Sequence, residues 1–169
     1  MATALNPPLD LDTEREKYLE FVDGDYVQRP PGSGTHSDCQ YNLTRLLKNV
    51  AKTRNAKARQ EWTVAHGTEW LTPDVLLTHP GEFETDHRGY LTSTPFLCVE
   101  ILSPGQNESD LFRKCRRYHS WGVPHCWIVD PQTTTCFEHH GGDSFKMVES
   151  DGTLTAGDLQ LAVAAVFAE

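Results

Sequence analysis

Asp74, Glu100 and Lys114 are the side chains whose types and spacing could do chemistry in this sequence. Glu100 lies near the end of Pro95-Phe-Leu-Cys-Val-Glu-Ile-Leu-Ser-Pro104, a stretch so apolar between its prolines that it reads as a buried central strand. A carboxylate there is costly unless it is paired, protonated or bound to a metal. Pro73-Asp74-Val-Leu-Leu77 repeats the theme, with an acid opening a short apolar strand. Lys114 falls on the helix that should follow Glu100. Two acids on adjacent buried strands with a lysine nearby suggest a metal site for phosphoester chemistry. The bland alternatives are a turn-forming Pro-Asp pair, a Glu100 satisfied by backbone donors or an arginine, and a surface ion pair between Asp110 and Lys114.

The elements that must hold these residues follow from periodicity. Residues 1–12 read as a disordered leader, and Thr13–Glu20 as the start of a short helix, with Thr13 and Glu16 spaced as a capping box. Phe21–Gln28 reads as two strands around an Asp23-Gly24 turn. His36–Ala51 predicts a long helix, with Cys39, Leu43, Leu46, Leu47 and Val50 as its apolar face. Lys57–Ala65 and Pro73–Thr78 are candidate strands, and a long polar connection covers residues 79–94. Asn107–Trp121 predicts a second helix, capped by Asn107 and stopped by Gly122. His125–Asp130 is a further apolar strand. Cys136–His139 and Ser144–Glu149 follow as outer strands, with His139 and His140 exposed at a strand end. The tail 158–167 fits either a strand or a helix. Period two puts Glu100 on one strand face with Cys98, and puts Leu97, Val99 and Ile101 on the other. The order predicts a single α/β or α+β domain on a mixed sheet.

Composition narrows the function classes. The chain has 169 residues and a net charge of −9, which argues against a bulk nucleic-acid binder. Distribution matters more than the total: six of the 15 Lys and Arg lie in Arg45–Arg59 with no acid between them, and four lie in Arg113–Arg117. These two segments are compatible with a DNA-binding cleft or with solvated surface. No apolar run is long enough to suggest a membrane span, and no signal peptide is visible. The five cysteines lack framework spacing and read as reduced thiols in a cytoplasmic protein. Cys136, His139 and His140 do not complete a zinc spacing.

The combined pattern resembles a known family. Pro73-Asp74-Val-Leu, Val99-Glu100-Ile-Leu-Ser-Pro104 and Asp110-x3-Lys114-x3-Tyr118-x3-Gly122-Val123-x3-Trp127-Ile-Val-Asp130-Pro131 look like the Uma-type family of "putative restriction endonucleases", within the PD-(D/E)XK nuclease superfamily. The Asp23-Gly24 turn and His36 at a helix start match too. The resemblance implies a restriction-endonuclease-like domain over 13–169, with a mixed central sheet flanked by helices. One position departs: two residues after Glu100, where the superfamily has lysine, stands Leu102. This is similar to members whose lysine has moved to the following helix, which makes Lys114 the substitute.

The resemblance further implies that Asp74 and Glu100, with Glu61 as a plausible third acid, hold Mg2+ or Mn2+. Lys114 would orient the attacking water, and Tyr118 would support the site. His36, Lys52, Arg54, Lys57, Arg113, Arg116 and Arg117 become candidate DNA contacts. Cutting two strands needs two centres, so a homodimer is expected. The competing reading is a catalytically inactive nuclease-fold protein that binds DNA or regulates a partner.

Overall fold

The computed structural model describes residues 19–169. The expected leader and most of the expected helix at 13–20 lie outside these residues. Leu19 and Glu20 belong to a strand instead. Strand β1 (Leu19–Val22) turns at Asp23-Gly24 into β2 (Asp25–Gln28). Both turn residues have positive φ, 54° and 78°, the geometry that a tight hairpin demands and that Asp-Gly tolerates.

Helix α1 (Gly34–Lys52) begins at Ser33, whose side chain accepts from the His36 N–H at 3.2 Å. Strands β3 (Ala58–Gln60), β4 (Val64–His66), β5 (Glu69–Leu71), β6 (Val75–Thr78) and β7 (Pro95–Ile101) follow. The single strand expected over 57–65 is therefore two, in different sheets. Glu61 breaks it, with φ at +48°, and the chain turns out of one ladder into another. Helix α2 (Glu108–Ser120) leads to β8 (His125–Asp130), β9 (Thr135–Gly141) and β10 (Ser144–Val148). The tail is both things at once: β11 (Thr153–Ala156) and β12 (Leu159–Ala162) form a hairpin, and α3 (Val163–Val166) adds one helical turn.

The main sheet has six strands in the order β10-β9-β8-β7-β6-β3, and β7 with β8 is its parallel pair. A parallel pair needs a crossover, which α2 supplies. Val99 and Ile101 face a core built with Leu43 and Leu47 of α1 and with the β11–β12 hairpin. Cys98, Ile128 and Phe137 face the opposite core, with Leu111, Cys115 and Tyr118 of α2. The fold is α+β, with helices on both faces of a mixed sheet. A second sheet, β2-β1-β5-β4, stands beside the first. Among the described residues no helix is long and apolar enough to cross a membrane.

Two local features fix the geometry near Glu100. Strand β6 pairs antiparallel with β7 in the register Val75↔Val99, so one further step puts Asp74 opposite Glu100. Helix α2 starts with a full capping box: Asn107 accepts from the Asp110 N–H at 3.0 Å, and Asp110 accepts from the Asn107 N–H at 3.3 Å. Asp110 therefore caps its helix and lies 3.8 Å from Arg113, leaving Lys114 to other partners. Replacing Asn107 by Ala should cost about 1 kcal/mol in urea unfolding, and Asn107→Ser should recover most of it. Equal stability of all three proteins would show that the cap does not hold the helix.

Candidate active site

The two sheets, the start of α1 and the N-terminal half of α2 enclose a cavity of about 730 Å³. Asp74 sits just before β6 and is 4% exposed, and Glu100 in β7 is 3% exposed. The Ile101 N–H donates to Asp74 Oδ2 at 2.7 Å. Arg29 and His36 both stand 3.2 Å from the other carboxylate oxygen. Gln40 fixes the same residue by donating to its carbonyl at 3.0 Å.

Lys114 reaches back from α2 to Glu100. Its Nζ stands 2.9 Å from Glu100 Oε1, 2.6 Å from Glu20 Oε1 and 3.1 Å from the Thr72 carbonyl. Three acceptors match the three N–H bonds of an ammonium. One helical turn on, the Tyr118 hydroxyl donates to Glu100 Oε1 at 2.7 Å. Leu102 packs against the apolar cluster beneath α2.

The charges shift one another. Burial pushes Glu100 up to about 7; Lys114 opposes this, while Asp74 and Glu20 add to it. Burial would likewise raise Asp74, but the hydrogen bond and charge of His36, with Lys114 and Arg29, hold it below the usual carboxylate range. Lys114 is pulled the other way: burial would lower it, and Glu100 and Glu20 overcome that and raise it. His36 is also raised, because its bond to Asp74 outweighs burial.

Of the residues singled out in the sequence, His36, Glu61, Asp74, Glu100, Arg113, Lys114 and Arg117 line this cavity. Glu61 follows β3 rather than lying on it; its side chain is 54% exposed and 3.9 Å from Arg29. Lys52, Arg54, Lys57 and Arg116 do not line the cavity. Arg54 pairs with Asp158 at 2.9 Å, Lys57 lies over the Phe83 ring and Arg116 meets Asp143 at 3.4 Å. His139, expected at an exposed strand end, is buried in β9 of the main sheet, beside Phe112.

Glu20 and Arg29 were not among the sequence candidates. Glu20 is 5% exposed and accepts from the Thr72 N–H at 2.9 Å. The Arg29 guanidinium bridges Asp74 with Glu20 at 3.8 Å and Glu61 at 3.9 Å. A signal existed for the first: the Asp23-Gly24 hairpin needs a partner strand for 25–28, and that strand has to run through Glu20. Nothing in the sequence marks Arg29 apart from other basic residues.

Among the described residues no three Asp, Glu, His or Cys side chains form a ready-made metal cage. Mg2+ or Mn2+ asks for less, since such hard cations accept one or two carboxylates plus water and substrate oxygens. Asp74 and Glu100 are of that type, and they sit in a network of four carboxylates with Arg29, Lys114 and His36. The donor set fits.

The chain belongs to the Uma2 family, described as "Putative restriction endonuclease", whose model matches residues 8–163. Among solved structures it is similar to a "putative nuclease belonging to DUF820" from Anabaena variabilis ATCC 29413, at 23% identity over 90% of both chains and a TM-score of 0.77. That likeness shows the fold. A DrdV–DNA complex matches 63% of this chain and 9% of its own, at 15% identity and a TM-score of 0.40. No curated protein sequence matches significantly.

The Glu100 shift has a sign that can be checked. A carboxyl whose value rises from 4.5 to about 7 on folding holds its proton longer in the folded state. Its contribution to stability is present below the unfolded value and is lost as pH rises through about 7. Glu100→Gln should remove that loss, so urea midpoints of wild type and variant should diverge in the variant's favour between pH 5 and 8, as read in about half-unit steps. Parallel pH profiles would mean that Glu100 ionises normally.

Proposed function

We propose that this chain is a metal-dependent endodeoxyribonuclease that hydrolyses phosphodiester bonds at the Asp74–Glu100–Lys114 cluster. The observation that carries the reading is the Lys114 Nζ, 2.9 Å from Glu100 Oε1, restoring from the helix the cation that Leu102 removes from the strand. Membership of the family described as "Putative restriction endonuclease" supports the same class of activity.

Asp74 and Glu100 would hold Mg2+ or Mn2+, which supplies charge for the phosphate and acidifies a bound water. The remaining work falls to the chain's own groups. The Ile101 N–H and the Tyr118 hydroxyl lock the two carboxylates into fixed rotamers, so little reorganisation is needed as charge develops. Lys114, whose three N–H bonds are taken by protein oxygens, would act through its fixed charge on the attacking water or the phosphate oxygens. Arg29, at the cavity wall beside Asp74, is placed to take a non-bridging phosphate oxygen. Two copies of the chain would supply one centre per strand of duplex.

Supercoiled plasmid and a labelled single strand, each incubated with Mg2+ or Mn2+, provide the test. Wild type should cut, Asp74→Asn and Glu100→Gln should abolish cutting, and Lys114→Ala should slow it by about a hundredfold or more. Calorimetry with Mn2+ should lose its signal in Asp74→Asn. Cutting that survives both carboxylate substitutions would overturn the assignment. Absence of both cutting and Mn2+ binding in wild type would favour a nuclease-fold protein that binds DNA without cleaving it.

A further inference from the structure

We infer that the solvent face of α1 is a track for the sugar–phosphate backbone of DNA on its way into the cavity; this deepens the nuclease reading and rests on it. The buried side of α1 is fixed by Cys39, Leu43 and Leu47. At 100° per residue, Ser37, Tyr41, Arg45, Lys48 and Lys52 fall within one strip of about 80° on the other side. All five are exposed. The strip begins inside the site, because Ser37 lines the cavity. From there to Lys52 it follows the helix axis for about 22 Å. Phosphates on one strand of a duplex repeat at about 3.4 Å along the duplex axis and lie further apart along the strand itself, so the strip is long enough to meet several of them.

Its charges are unspent. Among the described residues Arg45, Lys48 and Lys52 make no ion pair, whereas neighbouring Arg54 is held by Asp158 at 2.9 Å and Lys57 and Arg59 lie over the Phe83 and Trp62 rings. Asp38 borders the strip and is its one acid; no other follows before the helix ends. In a chain of net charge −9 whose cavity wall carries Glu20, Glu61, Asp74 and Glu100, a polyanion needs a positive approach. Tyr41 adds a second element. This residue is 63% exposed, among the few large apolar residues left open to solvent, and no ring in the described residues stacks on it. An aromatic face beside a row of cations is the arrangement that holds an unpaired base next to its phosphates.

The test uses full-length protein in EDTA, with labelled single strand and labelled duplex, and follows affinity against salt. For duplex, Arg45→Gln/Lys48→Gln/Lys52→Gln should make the slope of log K against log[salt] shallower by about 2 to 3, and Lys48→Gln alone by about 1. Arg54→Gln/Lys57→Gln should leave it unchanged. Tyr41→Ala should weaken single-strand binding about tenfold without moving the slope. Thermal melts followed by circular dichroism confirm that each variant is folded, and the single substitution stands if the triple is not. An unchanged slope in the folded variants overturns the track. Metal-dependent cutting measured in parallel separates the two ideas: cutting with an unchanged slope defeats the track and leaves the nuclease, and a reduced slope without cutting does the reverse. Failure of wild type to bind either DNA at low salt defeats the track, and the nuclease reading then stands or falls on cutting alone.

Discussion

A buried ammonium organises this molecule. Lys114 is 13% exposed, and its charge is tolerable only because Glu20, Glu100 and the Thr72 carbonyl surround it. Those partners come from three separate parts of the chain: the first hairpin, the central strand and the turn before β6. Removing one member of such a group leaves an uncompensated charge, which costs about 3–5 kcal/mol, far more than any surface pair. The arrangement therefore fixes where the small sheet sits against the large one. It also holds the carboxylates in a strained balance, with Asp74 ionised readily and Glu100 reluctantly.

That imbalance is chemically useful. Two adjacent carboxylates with separated proton affinities can take different roles within one site. The separation arises from what each oxygen touches: Asp74 has a backbone N–H, an arginine and a histidine, while Glu100 has a phenol and one shared ammonium. Neither environment depends on the far edge of the sheet. Strands β9 and β10 and the terminal hairpin build the core that keeps β7 and β8 straight, and the cavity is lined without them.

Much of this was legible in the sequence because it follows from local rules. Continuous apolar runs marked β7 and β8, Asn107 and Gly122 bracketed α2, and Asp23-Gly24 set a hairpin. The contact between Lys114 and Glu100 was legible only through the resemblance, which named Lys114 because Leu102 stands two residues after Glu100; the i, i+4 stripe alone pointed to a surface pair with Asp110. What could not be read came from long-range packing. Glu20 was drawn into a helix by the Thr13–Glu16 spacing, since local propensity says nothing about the β5 strand that recruits β1 through Phe21 and Trp70. Arg29 is one arginine among many until the fold places it beside Asp74. Lys57 and Arg54 looked free in a run of basic residues, and only tertiary neighbours occupy them.

The Arg117–Asp23 contact, which pins the tip of the first hairpin to α2, joins residues 94 positions apart. Closing a loop of that length costs about 4 kcal/mol in chain entropy, so it forms after the local elements rather than with them. During synthesis the hairpin emerges long before its helix partner. The centre at Lys114 would thus stay incomplete until α2 has left the ribosome, and a nascent chain would carry the acids of the first hairpin and of β7 before the lysine that brings them together.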